Sequence, residues 1–175
     1  MTTSRLVAAG LLAVVLLGCS GDDDGGESPT TTDPASESTT TTTAAADADV
    51  LDAYRGFWDA YLAAADPMDP AHPDLELFAT GASLEAVRDA FADHFARGEV
   101  IRGSVDLAPK IEQLDDASAT VRDCYLDQTH IFDSESGAQV DPPEDATFEV
   151  LATLVLEDGS WKVSSLDKVS DGCER

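Results

Sequence analysis

The chain has 175 residues, with 35 acidic side chains against 10 basic ones and a formal net charge of −25. A field of that sign repels phosphate backbones and anionic lipid surfaces, which disfavours nucleic-acid binding. Recruitment of cationic ligands is the functional reading of the charge; solubility is the plainer one, and the composition favours it.

Residues 1–18 carry one charged side chain, Arg5, and "LVAAGLLAVVLL" at 6–17 is an apolar run of twelve. As a helix it would span about 18 Å, well short of the ~30 Å hydrocarbon layer, so 1–18 is expected to be a signal peptide rather than a membrane span. Leu16-Leu17-Gly18-Cys19 resembles the bacterial lipobox, in which a small residue precedes the cysteine to be modified. The resemblance implies cleavage before Cys19, a diacylglyceryl group (palmitate or similar) on its thiol, and a location on the outer face of the cytoplasmic membrane. Each buried methylene contributes ~0.8 kcal/mol and one acyl chain anchors only marginally, so two chains on Cys19 are what would hold the protein there. The alternative is an ordinary secreted protein with a stray cysteine.

Residues 19–47 are expected to be a disordered stalk. The stretch 20–46 is rich in Ser, Thr, Pro, Gly and Asp and has almost no apolar side chain larger than Ala. Such a composition cannot bury enough surface to fold. Between 20 and 49 there are eight acidic residues and no basic one.

Residues 48–175 have the composition of one globular domain. Val50, Leu51, Tyr54, Phe57, Trp58, Tyr61 and Leu62 fall on one stripe and predict a helix over about 48–65, capped by Asp47 or Asp49. "DPMDPAHP" at 66–73 has three prolines in eight residues and reads as loop. A short helical piece is expected over 74–79. Ser83 is the expected cap of a further helix with Leu84, Val87, Phe91 and Phe95 on one face and Gly98 beyond its end.

The period changes after Gly98. "VIRGSVDL" and "KIEQL" read as strand broken near Pro109, and "ASATVRDCYLDQTHIF" at 117–132 as a second strand. A polar loop over 133–146 leads to a hairpin, "TFEVLATLVLEDGSWKVSSL", with Asp158-Gly159 as its two-residue turn. That register pairs Leu156 with Trp161 and Leu154 with Val163. It puts Phe148, Val150, Ala152 and those four residues on one face, which the helices must cover. The expected fold is α+β, with helices on one face of a curved four-stranded antiparallel sheet.

With Cys19 assigned to lipid, Cys124 and Cys173 remain as an even pair in an oxidising compartment, and a disulfide is expected between them. The rival, a reactive Cys124 with His130 as base, needs contact across six strand residues, roughly 20 Å. Asp123, Tyr125 and Asp127 alternate with Cys124 and share a face with Val121. The pattern favours a solvated strand end. If the face turned inward, Asp123 and Tyr125 would be candidates for proton transfer. Tyr54, Trp58, Tyr61 and Trp161 are candidate pocket residues. His72, His94 and His130 have no second ligand at metal spacing, so no metal and no cofactor are expected.

The element order, the "DGSWKV" hairpin and the aromatic first helix resemble the NTF2-like (SnoaL-like) superfamily over about 48–170. They also resemble lipoproteins of high-GC Gram-positive bacteria, and the absence of Asn and the scarcity of Lys and Ile fit such a genome. The resemblance implies a cone with a pocket between sheet and helices and carries over no catalytic residue. The expected function is that of a membrane-anchored, non-enzymatic module for a small apolar ligand or an envelope protein. The alternatives are an isomerase, cyclase or dehydratase using Asp123 and Tyr125, and an accessory subunit of an envelope transporter.

Overall fold

The computed structural model describes residues 38–142 and 144–175. The expected signal peptide, the expected lipidation at Cys19 and the expected stalk up to residue 37 lie outside the described residues.

Helix α1 (Ser38–Ala65) starts ten residues before the expected 48, and neither Asp47 nor Asp49 caps it. Ala44, Ala45 and Ala46 account for the nearer part of this extension, since once the aromatic stripe fixes the helix by packing, extension through good helix formers costs little. The Ser and Thr residues from 38 to 43 are poor helix formers and supply no such reason. The part of the expected stalk from 38 to 47 is therefore helical. Val50, Tyr54, Phe57, Trp58 and Ala64 are buried along the face that meets the sheet.

Helix α2 (Pro73–Phe78) carries Pro at its first position, and His72 Nδ1 accepts from the Asp74 N–H at 3.4 Å. Gly56 of α1 makes room for it: a Cβ there would sit 2.4 Å from the Phe78 ring. Helix α3 (Gly81–Ala96) begins after Thr80, not at Ser83. Ser83 is buried within its first turn. Phe95 is 64 % exposed, against the expectation that it lies on the buried face with Val87 and Phe91. It stands in the last turn of α3, where the chain turns back through the Gly98 N–H bond to the Phe95 carbonyl at 3.0 Å.

Among the described residues seven strands follow where four were expected. β1 (Glu99–Arg102) pairs with β5 (His130–Asp133) in a ladder of its own. β2 (Val105–Asp106) and β3 (Lys110–Leu114) both pair with β4 (Ser118–Asp127), β4 with β6 (Ala146–Glu157), and β6 with β7 (Ser160–Asp171), all antiparallel. The expected single strand over 117–132 is split after Asp127. There the Asp127 carboxylate accepts from both the N–H and the hydroxyl of Thr129, at 2.9 and 2.7 Å, and turns the chain out of the sheet.

The hairpin has the expected register, with Leu154 opposite Val163 and Leu156 opposite Trp161. Asp158 and Gly159 both have positive φ, 52° and 80°, as a primed two-residue turn requires. Beyond Val163 two irregularities interrupt the ladder: one leaves Ser164 unpaired, and the other lies between Ser170 and Lys168. The sheet is open, and α1 and α3 lie on one of its faces. This is the α+β architecture that the sequence predicts. Cys124 and Cys173 are disulfide-bonded, Cα atoms 5.9 Å apart, which pins the C-terminal tail to β4.

Candidate functional site

Alternation along β4 decides where the chemistry lies. Ala119, Val121, Asp123 and Tyr125 point under the helices, while Cys124 points to the opposite face and its disulfide. Asp123 is 1 % exposed, so the expectation of a solvated strand end is overturned. The reason is register: Asp123 stands opposite Val150 and next to Val121 on the face that α1 covers.

A buried carboxylate needs donors, and Asp123 has two. Its Oδ2 accepts from the Tyr54 hydroxyl at 3.0 Å, and its Oδ1 accepts from the Ala108 N–H at 2.7 Å. Burial pushes its pKa up, against the downward pull of those two hydrogen bonds and of Arg175. The Tyr54 phenol is pushed up first by burial and then by the Asp123 charge. The Trp58 indole N–H approaches that phenol and tempers the push. It closes no hydrogen bond with any described residue and is buried.

Trp58 begins an aromatic chain leading outward. Its ring centroid is 4.8 Å from Tyr125 and 5.7 Å from Tyr61, and Tyr125 lies 5.7 Å from Phe148. Two small clefts open at the outer end of this chain, one on either side of Leu166. One, about 350 Å³, lies between α1, α3 and β7 and is lined by Phe57, Tyr61, Ser83 and Val87. The other, about 340 Å³, is lined by Tyr125, Asp127, Phe148 and Val150, with Lys168 at its rim. The Lys168 Nζ lies 4.6 Å over the Phe148 ring and pairs with Asp171.

Electrostatics keep the phenols protonated. Burial, and then Asp127, push Tyr61 up to about 12. Tyr125 is pushed up by burial, then by Asp127, Tyr61 and Asp123. At neutral pH both are O–H donors in an apolar wall.

The candidate residues thus divide. Tyr61 and Tyr125 line the clefts. Tyr54, Trp58 and Asp123 form the wall behind them and line neither cleft. Trp161 sits at the hairpin end, in a separate groove with Leu156. Cys124 is spent in the disulfide, and His130 lies near Asp141 and Asp145, at 3.4 and 3.5 Å. No cluster of metal-ligating side chains occurs among the described residues.

The sequence pattern does not mark Leu166 and Lys168 as cleft residues. Strict alternation from Trp161 and Val163 would send Ser165 and Asp167 inward. The unpaired Ser164 shifts the phase, and Leu166 comes to stand opposite the inward-facing Ala152.

The chain matches no family model and no curated protein. It is similar in structure to the intermembrane space region of the chloroplast protein ARC6, at 14% identity and a TM-score of 0.51, over 71% of this chain and 96% of that one. It is also similar to the Kfla4162 protein from Kribbella flavida, at 12% identity and a TM-score of 0.50, over 72% of this chain and 90% of that one. A provisionally named scytalone dehydratase from Novosphingobium aromaticivorans superposes less well, at 17% identity and a TM-score of 0.45, over 77% and 92% of the two chains. At these identities the first two likenesses speak for the fold alone, and the third carries no argument.

Proposed function

We propose that the protein is an NTF2-like module, held by lipid on Cys19 at the outer face of the cytoplasmic membrane, that binds a small, flat, mostly apolar ligand beside Leu166. The observation that carries this reading is the contrast between two carboxylates. Asp123 has both oxygens engaged by Tyr54 and Ala108 and faces no cleft. Asp127 stands at the cleft with two neutral phenols beside it. A general base must come within hydrogen-bond reach of its substrate, and Asp123 does not. The clefts offer aromatic walls and a few hydroxyl donors, which suits a ring bearing one oxygen acceptor.

The test is NMR titration of the labelled protein with small aromatic alcohols and ketones. Shifts confined to Tyr61, Tyr125, Phe148 and Leu166 support the proposal, and Leu166→Trp, which fills the space, should abolish them. Binding that survives Leu166→Trp would count against it. Turnover of any of these compounds that is lost on Asp123→Asn would move the reading to an enzyme. Mass spectrometry of membrane-extracted protein should find the diacylglyceryl modification on Cys19; an unmodified chain cleaved elsewhere would sink the anchor.

A further inference from the structure

The hairpin end that carries Trp161 is unlike the rest of the surface. Two grooves, about 1050 and 830 Å³, meet there and share Asp49, Leu156 and Trp161. Their floor is apolar: Leu77 is 58 % exposed and Leu156 38 %, and Phe78 and Leu114 lie half-buried beside them. Their rim is acidic. Asp47, Asp49, Asp52 and Asp59 come from α1, and Asp115 and Asp116 from the turn between β3 and β4. Arg55 is the one basic residue among those lining the grooves, and it pairs with Asp52 at 3.2 Å.

We propose that this groove docks a basic, amphipathic segment of a partner protein. Apolar side chains of that segment would seat on Leu156, Leu77 and the Trp161 ring, and its lysines and arginines would meet the six aspartates. Charge selects this occupant over the others. The chain's own segment from 20 to 37 holds six acidic residues and no basic one, so the rim repels it. A second copy presents the same acids, and pairing like charges across an interface is costly. An anionic membrane is repelled for the same reason. A cation over an indole face with carboxylates around it is a favourable arrangement for lysine and arginine. The inference stands apart from the Leu166 clefts: the groove uses neither Tyr61 nor Tyr125, so either proposal can fail alone.

The experiment uses the full chain in detergent micelles, isotopically labelled, titrated with a synthetic amphipathic peptide of lysine and leucine. The Trp161 indole N–H signal, assigned by Trp161→Phe, should shift while that of Trp58 stays in place. Asp49→Asn with Asp116→Asn should weaken binding about tenfold or more, and rising salt should weaken it further. Asp89→Asn with Asp93→Asn, on the exposed face of α3, removes the same charge elsewhere and should leave the affinity within about twofold. Any of four results overturns the proposal: equal loss in both double variants, equal binding of the peptide with glutamate in place of lysine, equal affinity for spermine alone, or self-association of the chain that Trp161→Ser abolishes.

Discussion

The Tyr54 hydroxyl on α1 reaches across to Asp123 Oδ2 on β4 at 3.0 Å, joining helix and sheet by a buried hydrogen bond between residues 69 apart in the chain. Removing the donor leaves a buried acceptor short of a partner. Tyr54→Phe should destabilise the fold by about 1–3 kcal/mol, and Asp123→Ala by at least as much. In a double-mutant cycle by urea unfolding the two changes should be strongly non-additive. Strict additivity would show that the bond contributes nothing.

The same pair sets a pH dependence. Burial raises the Asp123 pKa above its unfolded value, so the folded state favours the protonated carboxyl. Its contribution to stability is fully present below the unfolded value, about 3.9, and is lost as pH rises through the folded one. The stability of the wild type relative to Asp123→Asn should therefore fall between acidic and neutral pH. A difference that grows with pH would show that Tyr54, Ala108 and Arg175 outweigh burial.

Closure of the 49-residue span between Cys124 and Cys173 restricts the unfolded chain. The chain-entropy account gives about 4 kcal/mol for a loop of this size. Cys124→Ala with Cys173→Ala should lower the thermal midpoint markedly. It should also free Arg175, which now donates to the Cys124 carbonyl at 3.1 Å and to Asp106 at 2.8 Å. Sharp, unshifted Arg175 side-chain signals in the double variant would contradict this.

Gly56 faces the Phe78 ring with no room for a methyl group. Gly56→Ala should be destabilising despite a gain in helix propensity of about 1 kcal/mol, because overpacking costs about 1–3 kcal/mol. On a Phe78→Ala background the clash is gone, and the same substitution should become stabilising. A sign that does not reverse, measured by chemical unfolding, would exclude steric contact as the reason for glycine.

Much of this fold is legible in local pattern. The stripe from Val50 to Leu62 gives α1 its buried face, and Asp158-Gly159 gives the hairpin its register, because both are set by neighbours in the sequence. The early start at Ser38 is not legible, since threonines followed by alanines suit a tail as well as a helix. Nor is the inward turn of Asp123: alternation says that it shares a face with Val121 and Tyr125, but not which face α1 covers. The clefts are the least legible part. Tyr61 and Tyr125 stand out in the sequence, whereas Leu166 and Lys168 depend on a phase shift that no residue type announces. Trp161 reads as a pocket residue and lies in a groove between α1 and the hairpin end, apart from the Leu166 clefts.

The unpaired Ser164 lies outside the pairing that sets the cleft wall. Many residues could stand at 164 without altering the facing of the strand beyond it. Deleting that residue would remove the irregularity and leave Leu166 and Lys168 on the inward face by plain alternation from Val163. Related chains could therefore differ by one residue at this point with no change in which side chains beyond it face the helices.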